Sequence, residues 1–512
     1  LNRVPDRAVY AATIFVFLAL IFTCFSYDAT ATMWLDELHG YYVLQLGSIS
    51  QISQALIDGV DNSAPIYLII CHLLKPVLGS GAFDLRFPSA AGFCIACLCI
   101  YIFLTRRLSP IYGLLGVLVL SGIAMYSIEG RPYGMAIGCV STALVAWQSA
   151  AEQRARAVSV TALLLFLSLA ISTHYWSIFV LPAIAVAEAV RWWKRRSMDL
   201  PIALAVTLPV LVLIPALPFI RSVQRFMPFF WSKPFFPLDS RFMFAGLLGN
   251  LPMLAVFIVP LIVLYLKPWN TGGSRSSPAT LPNYEWALVT VIAVTPYALL
   301  IVALFTTRIF QDRYVVWSAF GITAFLVALF ARYIPNRAIA VLACLIVGML
   351  TADHWKNAFA NRNELRIGEP MRRALADVPA APDPIVIATH QPYMELAYYE
   401  TPRIRARLVL LDNLELEKFY TASDTGSLLM SAVKKWTKLN IEDYCGFLTQ
   451  HQRFLLAADA EDWLPWQLSA SGYKLTAIRA GWHPLLFLVE APAQPKTPDW
   501  IRAAKIKLTC SD

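Results

Sequence analysis

The sequence predicts a polytopic α-helical membrane protein ending in an extracytoplasmic α/β domain, and three observations carry that prediction. Only 15% of the 512 residues are charged and 58% are hydrophobic, whereas soluble proteins carry about 25% charged residues. Apolar runs such as Ile111–Met125 and Ile202–Leu217 hold no charge at all and recur through the first two thirds of the chain. After Thr351 charges return and the apolar runs shrink to strand length. A wholly soluble enzyme, a disordered chain and a coiled coil are excluded. The net charge of +9 sits in short clusters between apolar runs. That pattern carries topology and implies no nucleic-acid partner.

Runs able to cross about 30 Å of hydrocarbon lie at approximately 8–27, 87–104, 110–128, 132–150, 157–173, 175–191, 200–220, 243–266, 285–306, 314–332 and 337–352. The first, Ala8–Phe25, is longer than the roughly 7–15 apolar residues of a signal peptide, so we read it as an uncleaved span. Residues 65–79 are short for a crossing and hold His72 and Lys75, which suits a helix lying in the interface. The sidedness of every later loop depends on that stretch. If it does not cross, Arg3, Arg7, Arg106, Arg107, Arg154, Arg156, Arg191, Lys194, Arg195, Arg196, Lys267, Arg275, Arg332 and Arg337 all fall on the N-terminal side. The positive-inside rule then holds, and it fails repeatedly if the stretch crosses. The expectation is about eleven spans within residues 1–352, with the N-terminus cytoplasmic and residues 28–85 forming the first extracytoplasmic loop with interfacial helices.

Residues 353–512 are expected to form the extracytoplasmic domain. Ile385–Ala388, Leu408–Leu411 and Phe454–Ala457 read as buried strands, and Met394–Tyr399, Leu428–Trp436 and Asp462–Leu468 as helices between them. Such alternation predicts an α/β layer structure. Glycine fingerprints for phosphate loops or dinucleotides are absent, no internal repeat is found, and Thr271–Pro278 reads as a flexible linker. Of nine cysteines, all but Cys445 and Cys510 lie in apolar runs, so no disulfide framework is implied, and Cys94-x-x-Cys97-x-Cys99 lacks the charged surroundings that make thiolates.

Three groups of polar residues on the outer side call for explanation. Asp36 and Glu37, in Trp34-Leu35-Asp36-Glu37-Leu38-His39, lie soon after the first span. Adjacent carboxylates near lipid are costly unless they face water, pair or bind a cation, and one of them can act as a general base. The plain alternative is a solvated helix start. Glu129-Gly130-Arg131-Pro132-Tyr133 forms a short loop in which Arg131 defies the charge rule. It either pairs with Glu129 at the surface or meets an anionic group. Scattered beyond these are Arg86, His174, Tyr175, Arg221, Arg225, Lys233, Arg241, Arg308 and Arg313. Each alone suits a headgroup-level anchor, and together they suit a lipid phosphate. The loop Phe226–Leu238, rich in aromatics and proline, suits an aromatic belt or a gate over a lipid-linked substrate.

In these residues, Trp34-Leu35-Asp36-Glu37, Leu-Arg-Phe-Pro-Ser at 85–89, Glu-Gly-Arg-Pro-Tyr at 129–133, Thr-His-Tyr at 173–175 and Asp312-Arg313-Tyr314, the chain resembles bacterial GT-C-type glycosyltransferases. Families 39 and 83 are the most similar, and they include protein O-mannosyltransferases and the aminoarabinose transferase acting on lipid A. The resemblance is good over roughly 8–190 and weaker beyond. It implies a GT-C fold in the bacterial inner membrane and inverting transfer of a single sugar. The donor would be a polyprenyl-phosphate (undecaprenyl) sugar, and the acceptor a glycan, glycolipid or protein on the extracytoplasmic face. Asp36 would be the catalytic base, with Glu37 and Glu129 holding the acceptor or a divalent cation, Mg²⁺ or Mn²⁺. Arg86, Arg131 and Arg313 would meet the donor phosphate, with Lys75, Arg221, Arg225 and Lys233 as further candidates. His39, Tyr133, His174 and Tyr175 would line the substrate.

The chain departs from the mannosyltransferases at Asn62-Ser63-Ala64-Pro65, where they carry a His-Pro-Pro-type stretch, and in its α/β tail. Decoration of a glycan or glycolipid is therefore expected at least as much as that of a protein. The alternative reading is a lipid-linked oligosaccharide flippase or polymerase-like envelope protein. Such a protein needs charged residues near mid-membrane, and the spans here are nearly free of charge.

Overall fold

The computed structural model describes residues 6–79, 81–123, 129–232, 243, 246–247, 255–259, 262, 280–376, 378, 381–459, 461–479, 485–504 and 506. Two compact units emerge. One comprises Leu1–Ala31, Ser63–Pro218 and Ser232–Arg362, the other Thr32–Asn62, Phe219–Trp231 and Asn363–Asp512.

The first unit is helical. Among the described residues nine helices of the chain are long and apolar enough to cross a membrane: Asp6–Thr30, Ala82–Thr105, Tyr133–Ala151, Arg156–Thr173, Tyr175–Arg195, Leu200–Gln224, Asn283–Phe305, Asp312–Tyr333 and Arg337–Ala360. Two further expected spans fall partly or largely outside the described residues. The run 110–128 is seen as the helix Pro110–Ser121, and most of 243–266, like the linker Thr271–Pro278, lies outside them.

One hydrogen-bond set fixes the direction of the early helices. Arg86, in the second turn of Ala82–Thr105, donates from Nη1 to the carbonyl oxygens of Asp28 at 3.3 Å and Ala31 at 2.8 Å. These carbonyls lie at the end of the first helix, where the last turn has no intrahelical partner for them. The first crossing helix therefore ends where the second begins. Pro65–Leu78 has 14 residues and reaches about 21 Å, short of a bilayer core. The hydroxyl of Tyr67, in its first turn, donates to the Leu85 carbonyl at 2.5 Å. The helices Asp6–Thr30 and Ala82–Thr105 thus meet end to start, with the short helix Pro65–Leu78 between them in the chain.

The opposite end of this bundle is tied by ion pairs. Arg107 reaches buried Glu285 at 2.6 Å, Arg156 reaches Asp199 at 2.6 Å, and Arg191 bridges Glu188 at 2.6 Å and Asp199 at 3.3 Å. Trp147 Nε1 also donates to Glu188 at 2.7 Å. Glu188 and Glu285 are thus both neutralised by arginines there. Arg337 meets Asp6 at 2.6 Å, adding the starts of the first and last crossing helices.

Tyr133–Ala151 is the most enclosed of these helices, buried on nearly every side. Its close packing comes from Gly134-x-x-x-Gly138 laid against Gly92 of Ala82–Thr105. A Cβ on Gly92 would stand 2.5 Å from the Gly134 carbonyl oxygen, so only glycine lets the backbones approach. Ser89 Oγ accepts from the Gly134 N–H at 3.0 Å and satisfies a donor of the helix's first turn. That bond locks the motif at 85–89 to the residue that directly follows the motif at 129–133.

The second unit is built on a six-stranded sheet in the order β3-β2-β1-β4-β6-β5, the strands being β1 Ile385–Ile387, β2 Leu408–Asp412, β3 Ile441–Asp443, β4 Arg453–Ala458, β5 Lys474–Arg479 and β6 Leu485–Glu490. β1 pairs parallel with β2 and β4, Val386 standing opposite Val409 and Leu456, and β3 is parallel to β2. β6 is antiparallel to both β4 and β5. Among the parallel strands β1, β2 and β4 carry apolar runs because both of their faces are covered, whereas the short edge strand β3 does not. Val386, Val409, Leu411, Phe454 and Leu456 join Phe447, Trp463 and Leu464 in one core. Leu35–Leu44 and Ile49–Asp58 belong to this unit as well. Asp58 accepts from Lys435 at 2.5 Å and from Trp436 Nε1 at 2.8 Å.

Seven cysteines are free thiols, in line with the lack of a disulfide framework, whereas Cys445 is disulfide-bonded, a single bridge the sequence did not suggest. The ninth, Cys510, lies outside the described residues.

Candidate functional site

In the first unit the motifs around Glu129, His174 and Arg313 converge at the bundle end where Arg86 and Ala31 meet. Helix alternation brings them there: Tyr133 opens one helix, Thr173 closes the next, and Phe305 closes a third. The Tyr133 ring stands 5.5 Å from the His174 ring in an edge contact, and His174 stands 6.3 Å from Tyr314. Trp176 packs on Tyr314 at 5.5 Å. Arg131 and Arg313 both act electrostatically on His174. Burial above all, then these two guanidiniums, pushes the imidazole down to about 3. At physiological pH the ring is neutral, so it hydrogen-bonds without adding charge.

Within this group Arg131 N–H donates to the Glu129 carbonyl at 2.6 Å, making a tight turn. Glu129 itself is buried. Arg313 Nε donates to Gln311 Oε1, and its backbone N–H bonds Asp312 Oδ1 at 2.8 Å. These contacts fix the arginine's base. The Tyr175 hydroxyl is buried with no hydrogen-bond partner among the described residues, which is costly unless a ligand supplies one. Lys75 lies in the last turn of Pro65–Leu78, within electrostatic reach of buried Asp84. Arg86 is almost wholly buried, and its Nη1 is held by the carbonyls of Asp28 and Ala31.

The second unit carries the acidic pair. Leu35–Leu44 begins after Trp34, so Asp36 and Glu37 occupy its first turn, where the helix dipole favours negative charge. The two carboxylates then part company. Glu37 is buried, and its Oε2 accepts the Trp34 backbone N–H at 3.2 Å, the reach-back half of a capping box. Asp36 is half-buried. His39, one turn further on, is buried. Arg366 lies 4.4 Å over the Trp34 ring.

The sequence reading missed His390. It opens the helix His390–Tyr399 just past the carboxyl end of β1, and β1 is the strand at which the sheet order reverses, with β2 on one side and β4 on the other. Ligands of parallel sheets gather at such ends. Burial first, then His39, holds this imidazole down to about 4, while Asp36 acts in the opposite sense. Asp36, His39 and His390 are therefore electrostatic neighbours. Gly426 lets Thr425–Trp436 press on the ring, since a Cβ there would stand 2.5 Å from His390 Nδ1. The usable sequence signal was Thr389-His390 directly after a buried apolar run.

Arg225 is engaged locally. Its Nη2 donates to the Ile57 carbonyl at 2.7 Å and to Ser222 Oγ at 2.8 Å, tying 219–231 to the helix Ile49–Asp58. Lys233 and Arg241 lie outside the described residues, as does most of the end of Phe226–Leu238. Among the described residues no three His, Cys, Asp or Glu side chains converge to hold a metal ion.

The fold that emerges, a long apolar helix bundle plus a mixed-sheet domain, is the GT-C fold of membrane glycosyltransferases. A solved structure similar in fold is ArnT from Cupriavidus metallidurans bound to undecaprenyl phosphate, which matches over 94% of this chain and 97% of that one at 12% identity and a TM-score of 0.53. Its apo state covers 94% and 98% at 12% identity, with a TM-score of 0.45. The Archaeoglobus fulgidus oligosaccharyltransferase in complex with zinc and sulfate covers 92% and 72% at 10% identity, with a TM-score of 0.43. No protein-family model matches the sequence, and neither does any curated protein.

Proposed function

We propose that the chain is an inverting glycosyltransferase of the membrane, moving one sugar from a polyprenyl-phosphate donor to a glycan, glycolipid or protein acceptor on the extracytoplasmic face. The observation that carries this reading is the gathering of Arg131, Arg313, Tyr133 and neutral His174 at one bundle end of a GT-C fold. Two guanidiniums beside an uncharged ring suit a phosphate that gains charge as it departs.

Asp36 is assigned the base. The acceptor oxygen attacks the anomeric carbon, its proton passes to the Asp36 carboxylate, and the bond from that carbon to the phosphate oxygen breaks with its electron pair leaving on the polyprenyl phosphate. Arg131 and Arg313 meet that charge, with Lys75 and Lys233 as further cations. Glu129 and His39 orient the acceptor, and the Tyr175 hydroxyl, which has no hydrogen-bond partner among the described residues, donates to a sugar oxygen. Glu37 holds the helix start that carries Asp36.

The disulfide at Cys445 supports an extracytoplasmic second unit, because cytoplasmic thiols are kept reduced. Transfer of labelled sugar from polyprenyl phosphate by the purified chain in vesicles tests the proposal. Lipid scrambling without sugar transfer would overturn it in favour of a flippase.

A further inference from the structure

A second polar site lies at the ion-paired end of the helix bundle, opposite the bundle end where Arg131, His174 and Arg313 gather. A cavity of about 660 Å³ opens there, lined by Gln153, Arg156, Arg195, Ser197, Asp199 and Leu200 among others. Two loops frame it, and both hold non-glycine residues in the left-handed region: Gln153 at φ 63°, Ala155 at φ 38° and Arg196 at φ 58°. L-residues adopt that conformation at a cost, and it gathers where surroundings impose a geometry.

The charges around the cavity do not cancel. Asp199 is neutralised by Arg156 and Arg191, and Arg154 by Glu152. Lys194, Arg195 and Arg196 have no carboxylate partner among the described residues, and Arg196 instead stacks 5.1 Å over Trp193. Met198 and Leu200, which line the cavity, and Trp192 and Trp193, in the last helical turn before it, each show more than half of their surface. Surplus cations beside exposed aromatic and aliphatic side chains at the end of membrane-length helices match an anionic headgroup with its acyl chains alongside. A free anion would need the cations and leave these apolar side chains unexplained.

We propose that this cavity binds the phosphodiester headgroup of an anionic phospholipid, with Arg195 and Arg196 on the phosphate and Trp192 and Trp193 against the acyl chains. The site is independent of the transfer reaction.

The test uses the purified full chain in detergent, following the thermal unfolding midpoint and counting retained lipids by native mass spectrometry. Phosphatidylglycerol is expected to raise the midpoint and be retained, whereas phosphatidylcholine does neither. The double variant Arg195→Ala/Arg196→Ala is expected to weaken phosphatidylglycerol binding about fivefold per cation removed, and Arg195→Lys/Arg196→Lys to restore it. High salt is expected to erase the wild-type response, which keeps the test decisive if the alanine variant misfolds. Equal responses to the two lipids would overturn the proposal, as would a response that survives high salt or an equal shift from inorganic phosphate alone.

Discussion

Arg86 donates a 2.8 Å hydrogen bond to the carbonyl oxygen of Ala31, and through it the end of one membrane-length helix is fastened to the start of the next. Ala31 and Arg86 therefore stand at the same end of the bundle. Replacing Arg86 by alanine strips two charge-assisted bonds from buried carbonyls and is expected to cost about 3 kcal/mol. Denaturant unfolding of the purified variant checks it, and stability equal to wild type would show that Arg86 is no clamp.

The helix pair Ala82–Thr105 and Tyr133–Ala151 meets glycine to glycine, so a methyl on Gly92 must displace backbone. Gly92→Ala is expected to lower stability by roughly 1–3 kcal/mol through overpacking. Gly348→Ala, whose Cβ meets nothing closer than Leu118 at 4.0 Å, serves as the control and should be nearly silent.

His390 is held neutral by burial, its pKa pushed down to about 4 from an unfolded value near 6.5. Between those limits the unfolded chain binds a proton that the folded one refuses, so stability rises with pH across this window. The contribution is complete above about pH 6.5 and is lost as pH falls toward 4. His390→Gln should therefore flatten the decline of the second unit's unfolding midpoint between pH 7 and pH 4. Parallel curves for variant and wild type would remove the histidine from the account.

Asp36 is the half-buried member of a pair whose other carboxylate closes a helix start. Asp36→Asn is expected to cut the rate of sugar transfer by roughly 10²–10⁴-fold while leaving the unfolding midpoint nearly unchanged. Glu37→Gln should do the reverse, since an amide reaches the Trp34 N–H but not as strongly as a carboxylate. Undiminished transfer by the Asp36 variant would rule out the assigned base.

Cys445 should be shielded from maleimide when the chain, taken directly from cells, is unfolded without reductant, and should react once reductant is added. Peptide mapping reads the difference. Immediate reaction would place this thiol in a reducing compartment.

Most of the helical architecture was legible because hydrophobic length and arginine placement are direct physical readouts of a bilayer. The strands at 385–388, 408–411 and 454–457 were legible for the same kind of reason, as short apolar runs fully covered on both faces. Arg86 shows the limit. Its residue type suits a phosphate as well as a carbonyl, and only the approach of Asp28 and Ala31, more than fifty residues away, decides which it touches. His390 was invisible for a related reason: its neighbours His39 and Asp36 lie some 350 positions earlier, a separation no local pattern encodes. β5 was missed because polar residues interrupt Lys474–Arg479 and leave no continuous apolar run, whereas β6 does hold one, Leu485–Val489, and the reading passed over it.

The second unit draws on three stretches, 32–62, 219–231 and 363–512, and this has a consequence for biosynthesis. The ribosome delivers the helix bearing Asp36 long before the sheet it packs with exists, so the early segment must wait, unsupported, while some three hundred further residues are threaded and inserted. Contacts of such long reach close slowly, and a chain stalled or cut before residue 363 would leave Leu35–Leu44 and Ile49–Asp58 with exposed apolar faces, a ready target for quality-control proteases.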